Sequence, residues 1–219
     1  MAIKIKFNNN KYYLEGKNNG LFLELDCSER ISKYNLLTHN HCLYPNVEGQ
    51  LYNNFSRSIH NNVRGDLQRS IDDLMKIYRL QRNAPFHGNR LAPIILGKRG
   101  IINGTPIFNL HNIDEIVRSF NELNRIISLE LDRKLLPETS LSKILHFCKP
   151  NSFWIFDSNI GDLSKVFGYS GTFKGYVDLL KKLSSDTRFE SFKNYILEVD
   201  HNMPGRNFLK IIDKILWLR

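Results

Sequence analysis

The stretch that decides the fold runs from Lys134 to Gly168 and reads KLLPETSLSKILHFCKPNSFWIFDSNIGDLSKVFG. Apolar residues at helical spacing predict a helix over 139–148, which follows a preceding helix after a tight turn. An extended apolar segment, residues 153–156, comes next and ends in Asp157. A further helix is predicted over 158–167. The order of parts is therefore helix, turn, helix, extended segment, aspartate and helix.

The end of this stretch resembles the closing phrase of the helix-hairpin-helix DNA glycosylases. In the adenine-excising branch the phrase has the form F-P-I-L-D-G-N-V, and here it reads FWIFDSNI over 153–160. The matching positions are Phe153, Ile155, Asp157 and Asn159, with an apolar residue at 160. The resemblance extends over about residues 110–200, with the hairpin at about 128–148 and the catalytic segment at about 150–168.

The resemblance implies a mainly α-helical fold and a DNA glycosylase that flips a modified base out of double-stranded DNA. Such an enzyme hydrolyses the N-glycosidic bond and leaves an abasic site. The chain has three cysteines and no CxxC pair, so it is similar to the cluster-free, 8-oxoguanine type of the superfamily. A monomer without a cofactor is expected. Two points stay open at this stage: which base is excised, and whether the enzyme acts in base excision repair or in defence against phage DNA. In the second case the target would be a hypermodified base such as glucosylated hydroxymethylcytosine.

Asp157 is the catalytic residue that the resemblance implies. Cleavage of an N-glycosidic bond develops positive charge on the sugar, which a nearby carboxylate stabilises. The same carboxylate can orient or deprotonate the attacking water. The alternative is that Asp157 is only the N-terminal cap of the helix that starts at Ser158, a common role for aspartate.

The predicted hairpin departs from the family pattern, because LPETS over 136–140 stands where the family has L-P-G-V-G. Thr139 or Ser140 is predicted to cap the following helix, and both are candidate DNA contacts together with Ser142. If Ser142 or Thr139 holds the position of the family's catalytic lysine, the enzyme is monofunctional and uses water. In a shifted register, Lys143 would be a Schiff-base nucleophile. The monofunctional interpretation is favoured.

The charge of the chain supports a nucleic-acid partner. The net charge is +9, and residues 51–100 contribute nine basic and only three acidic residues. A basic helix is predicted over 66–82, and a β-hairpin over 94–102 with the basic tip Gly97-Lys98-Arg99-Gly100. The candidate phosphate contacts are Lys98, Arg99, Arg82 and Arg90.

The N-terminal residues 1–28 are predicted to form a small antiparallel β element, since apolar residues alternate over 2–7 and turn residues separate the short strands. Residues 29–219 are predicted to form one helical, glycosylase-like domain. Further helices are predicted over 112–123, continuing towards 133, and over 171–184, 187–199 and 206–218.

Several classes of protein are disfavoured. No apolar run approaches the roughly 18 residues of a membrane span, and the chain start has no signal-like apolar stretch, so the expectation is a cytoplasmic protein. His39, His41 and Cys42 have a metal-like spacing, but no complementary cluster of carboxylates or histidines follows nearby, and no metal site is predicted. A non-catalytic DNA-binding protein with the same fold, and an interaction module with incidental charge, remain the alternatives to the enzyme.

Overall fold

The structure is a computed structural model that describes residues 3–39, 46–78, 80, 87–109, 111–133, 136–200 and 207–217, without the side chains of 37–39 and 46–48. This part of the chain is mainly helical, with one small antiparallel sheet. The elements are β1 (Lys4–Asn8), β2 (Lys11–Asn18), β3 (Leu21–Asp26), α1 (Cys27–His39), α2 (Asn46–Asn61), α3 (Arg64–Ile77), α4 (Gly88–Gly97), α5 (Arg99–Gly104), α6 (Ile113–Glu130), α7 (Glu138–Cys148), α8 (Ser158–Val166), α9 (Phe173–Ser184), α10 (Phe189–Val199) and α11 (Phe208–Trp217). Among these helices, none is both long and apolar enough to cross a membrane.

The chain forms two compact units. The first unit combines Met1–Cys42 with Phe156–Arg219, and the second is Leu43–Ile155. The N-terminal strands therefore share a unit with the C-terminal helices α8 to α11, far away in sequence.

The sheet of the first unit has the order β1-β2-β3, with both pairs antiparallel. The turns of the two hairpins contain residues with positive φ, a region that asparagine and glycine tolerate best. These residues are Asn9, Asn10, Asn19 and Gly20. One face places Ile5 beside Leu14 and Leu14 beside Leu25, all buried. The other face carries a ladder of ion pairs in which Glu15 meets Lys4 at 2.6 Å and Lys6 at 3.1 Å. This alternation is the period of two that the sequence predicts.

Packing of the first unit requires glycine at one position of the sheet. A Cβ atom on Gly16 would lie 2.5 Å from Cδ1 of Phe167, so the ring at the end of α8 packs directly on the strand backbone. Helices α1, α8 and α10 pack against α11, whose residues from Phe208 to Leu216 are all buried.

The second unit is held by α2, α3, α4, α6 and α7. Helix α6 buries Ile116, Phe120, Leu123 and Ile127 at helical spacing. Asn124 and Ser128 on the same helix are also buried, and both bond the main chain of Leu136 in the connector to α7. The sequence-predicted arrangement of helix, connector and helix is thus present as α6 and α7.

Most predicted helices are confirmed, but two predictions are wrong. The β-hairpin predicted over 94–102 is helical: Gly97 ends α4 and Arg99 begins α5. Leu91, Ala92, Ile94 and Ile95 are buried at helical spacing, and α4 packs on α3. The apolar run 94–96 fits a strand or a helix by itself, and this packing decides the choice.

Pro93 lies inside α4 and supplies no N–H to the carbonyl of Asn89, four residues earlier. Nη2 of Arg64 donates to that carbonyl at 3.3 Å, so the acceptor keeps a partner. The predicted cap of α7 is also corrected. Pro137 is the N-cap residue and α7 has no side-chain cap, so neither Thr139 nor Ser140 caps it.

Candidate functional site

Asp157 lies at the first turn of α8 in the first unit. Its backbone is extended, and Oδ1 accepts a hydrogen bond from the N–H of Ile160 at 3.1 Å. The residue is half-buried, and the four residues before it, 153–156, are each at most 6% exposed. The structure confirms that Asp157 caps the helix. The Ile160 N–H therefore orients the carboxylate at the start of α8.

Tyr176 on α9 provides the buried surroundings of Asp157. Its side chain is fully buried, and its ring stacks on that of Phe156 with the centroids 6.0 Å apart. Burial raises the pKa of Tyr176 well above its usual value, and the carboxylates of Asp213 and Asp157 raise it further. The phenol is therefore protonated at neutral pH, and its hydroxyl has no hydrogen-bond partner among the described residues.

Two buried ion pairs involve charged side chains of α11. Nζ of Lys210 lies 2.7 Å from Oδ2 of Asp213, in the same helix, and donates to the hydroxyl of Tyr34 at 3.3 Å. Lys210 is 1% exposed and Asp213 is 2% exposed.

The second pair joins Lys214 to Asp200 in a short charge-assisted hydrogen bond. Asn35 on α1 links both members, because its Oδ1 accepts from Lys214 at 2.8 Å and its Nδ2 donates to Asp200 at 3.1 Å. Buried charges are costly unless they are paired, and clusters of them are frequent at functional sites.

These four charged residues are not among the site residues predicted from the sequence. The signal that was available is the stripe of Lys210, Asp213 and Lys214 in the otherwise apolar FLKIIDKILW of α11. Charges at spacings of three and four are typical of a solvated helix face, and their burial cannot be read from the pattern.

The predicted hairpin residues lie in the second unit and are largely buried. Ser140 and Ser142 are fully buried, and Oγ of Ser142 donates to the carbonyl of Thr139 at 3.3 Å. Thr139 is half-buried. Lys143 is 7% exposed, and its ammonium lies 5.4 Å from the ring centroid of Tyr78, within the range of a cation–π contact. In this structure, neither Ser140 nor Ser142 presents a hydroxyl to solvent.

His146 is also absent from the site residues predicted from the sequence. The side chain is fully buried on α7, with Nδ1 at 2.6 Å from the carbonyl of Phe153 and Nε2 at 2.6 Å from the hydroxyl of Tyr52. A carbonyl only accepts, so Nδ1 carries a proton. The imidazole thus fixes the start of the buried segment 153–155 to α7 and α2.

The basic residues predicted to contact phosphate differ in their exposure and in their ion pairing. Arg90 and Arg99 are exposed, whereas Nζ of Lys98 pairs with Glu130 at 3.1 Å. Arg82 lies outside the described residues, as do the side chains of His39, His41 and Cys42. No acidic residue occurs between Asp73 and Asp114. The second unit therefore contains a long stretch of sequence with positive charge alone.

The candidate site residues are divided between the units. Asp157 belongs to the first, and Lys143, Thr139, Ser140, Ser142, Lys98, Arg99 and Arg90 belong to the second. No group of three His, Cys, Asp or Glu side chains suited to a metal ion occurs within the described ranges. No protein-family model, curated protein or solved structure matches the chain.

Proposed function

We propose that this protein is a DNA glycosylase that flips out a modified base and hydrolyses its N-glycosidic bond. The observation that carries the proposal is the position of Asp157, a half-buried carboxylate that directly follows the buried Phe156 and is held at the first turn of α8 by the Ile160 N–H. The FWIFDSNI phrase supports it, because each position that resembles the glycosylase phrase lies in the segment 153–156 or in this turn.

Asp157 would act on the sugar of the flipped nucleotide. As the bond to the base breaks, positive charge develops at the anomeric carbon and the Asp157 carboxylate stabilises it. Water then adds to that carbon, its proton passes to the carboxylate, and the released base takes up a proton. The N–H of Ile160 orients the carboxylate before the reaction, so little reorganisation is needed at the moment of charge development.

The surroundings of Lys143 support a monofunctional enzyme. A Schiff-base lysine must present an uncharged amine to the sugar, whereas Lys143 is buried over the ring of Tyr78. Water is therefore the nucleophile that we propose. DNA contacts from the exposed Arg90 and Arg99 would replace those of the hairpin, whose Ser140 and Ser142 are buried.

The test is excision activity on a panel of duplexes with modified bases and on phage genomes with hypermodified bases, followed by alkaline cleavage of abasic sites. Asp157→Asn should lower the rate by about 100-fold or more and leave DNA binding intact, since asparagine also caps helices well. Asp162→Asn, at an exposed position of α8, is the matched control. Excision at the wild-type rate by Asp157→Asn contradicts the proposal, and strand scission without alkali favours Lys143 over water.

A second candidate is a non-catalytic DNA-binding protein. The observation in its favour is that the Asp157 carboxylate already has a structural role as the cap of α8. This candidate predicts salt-dependent DNA binding with no abasic site on any substrate of the panel. It also predicts that Asp157→Asn changes neither the DNA affinity nor the stability.

A further inference from the structure

The first unit contains an apolar surface groove between β3 and α8. Its volume is about 370 Å³, near the lower end of the range of about 300–1,000 Å³ that is typical of small-molecule sites. Its apolar lining consists of Leu23, Leu25, Leu163 and Val166. Leu23, Leu163 and Val166 are half-buried, so each presents part of its side chain at the surface. Asp157 does not line this groove, and nothing in the proposed reaction uses it.

Arg30 on α1 supplies a cation to the same groove. The side chain is half-buried, and its Nε donates to the carbonyl of Ile215 in the last turn of α11. Its Nη2 is shielded by the surrounding atoms and has no hydrogen-bond partner within the described ranges. A shielded donor without a partner in the chain is rare in folded proteins, and a bound water, ion or ligand usually satisfies it.

The charge of Arg30 decides between these groups. Where the structure describes the chain, Arg30 takes part in no ion pair. Burial lowers the pKa of Arg30 by removing hydration, and the nearby Cys27 and Glu29 offset this only in part. Asp162 also lines the groove, but its carboxylate pairs with Lys165 at 3.1 Å. An anion in the groove would therefore meet a guanidinium that no carboxylate already neutralises.

The lining also defines the kind of anion. A single guanidinium matches a single negative charge, and its planar N–H groups bond both oxygens of a carboxylate. A dianionic phosphate ester would bring a second negative charge close to Asp162, without a second unpaired cation among the described lining residues. The aliphatic side chains of β3 and α8 would cover an alkyl chain and exclude water from it.

We propose that this groove binds a small aliphatic carboxylate, with its alkyl chain between β3 and α8 and its carboxylate on Arg30. The bound carboxylate would supply the acceptor that Nη2 of Arg30 lacks among the described residues. The small volume favours a free molecule with one short alkyl chain over a peptide segment, which would also bring main-chain polar groups against the apolar lining. This proposal is independent of the glycosylase activity.

The test is a chemical-shift titration of the isotope-labelled full chain. Octanoate should bind about tenfold more tightly than hexanoate, because two further methylene groups are buried. It should also bind at least tenfold more tightly than octylammonium, which has the same chain and the opposite charge. Arg30→Gln should weaken octanoate binding at least tenfold and remove the preference over octylammonium. Lys33→Gln, at an exposed position of the same helix, is the matched control and should change neither affinity.

Val166→Thr replaces Arg30→Gln if that variant does not fold. The added hydroxyl should weaken octanoate and octylammonium binding alike, because it makes the lining more polar. The proposal is overturned by equal binding of octanoate and octylammonium, by the absence of saturable octanoate binding, or by unchanged octanoate affinity in the folded groove variant. Tighter binding of octyl phosphate than of octanoate overturns it in favour of a phosphate ester.

Discussion

The side-chain amide of Asn124 pairs with both main-chain groups of Leu136. Its Oδ1 accepts from the Leu136 N–H at 3.1 Å, and its Nδ2 donates to the Leu136 carbonyl at 3.4 Å. All of these atoms are buried; the Leu136 N–H is shared with Oγ of Ser128 at 2.9 Å, whereas the Leu136 carbonyl accepts from Asn124. The N–H of Leu136, the first residue of the LPETS stretch in the predicted hairpin, is thus used inside the protein.

Asn124→Ala should therefore destabilise the protein. The carbonyl of Leu136 loses its partner in a buried position, which costs about 1–3 kcal/mol. Chemical unfolding measures the effect. Asn121→Ala, at an exposed position of the same helix, is the matched control and should change the free energy of unfolding by less than about 0.5 kcal/mol. Equal effects of the two variants contradict this role of Asn124.

Tyr52 and His146 should be energetically coupled. The Tyr52 hydroxyl bonds Nε2 of His146, and its ring stacks on Phe147 at 4.4 Å. Tyr52→Phe keeps the stacked ring and removes only the hydroxyl. A double-mutant cycle with His146→Asn should give a coupling of about 0.5–1.5 kcal/mol in unfolding free energy. Strict additivity of the two changes contradicts the pairing.

Removing one partner of the buried ion pair Lys210–Asp213 should destabilise the protein more than replacing both partners. Lys210→Met leaves the Asp213 carboxylate buried without its cation, at a cost of about 3–5 kcal/mol. The double variant Lys210→Met with Asp213→Leu should be more stable than that single variant, because no buried charge remains at either position. Lys76→Met is the control, since the pair of Lys76 and Asp73 is exposed and should contribute less than about 1 kcal/mol.

Asp186 should contribute to loss of stability in acid. Burial raises the pKa of Asp186, but hydrogen bonds from Arg188 and from the N–H of Ile5 outweigh this and hold it below the usual value. Such a carboxylate stabilises the folded state above its unfolded pKa, about 3.9, and this stabilisation is lost as the pH falls through the lower folded value.

Asp186→Asn should consequently show a smaller drop in unfolding free energy between pH 5 and about pH 2 than the wild type. Urea unfolding at a series of pH values measures this difference. Asp178→Asn, at an exposed position of α9, should keep the wild-type pH dependence. A parallel pH dependence in wild type and Asp186→Asn contradicts the proposed contribution.

The sequence correctly predicts the helical spans of the C-terminal half and the N-terminal strands. Each of these elements has a local sequence signal. The apolar residues recur with a period of 3.6 in the helices and of two in the strands, and Asn-rich turns with positive φ separate the strands. It also identifies Asp157 as a residue at the start of a helix, which the structure confirms. Local chemistry suffices for such features, because caps and periodicity act within a few residues.

Other features depend on contacts between residues that are distant in sequence. The apolar run before Gly97 becomes helix because α4 buries it against α3, although its length also fits a strand. The burial of Lys210 and Lys214 depends on Tyr34 and Asn35 of α1, some 176 and 179 residues away along the chain. A sequence pattern reports spacing along one element, but desolvation of a charge or a hydroxyl is determined by what packs against it. The tertiary structure alone therefore decides which polar residues become buried partners.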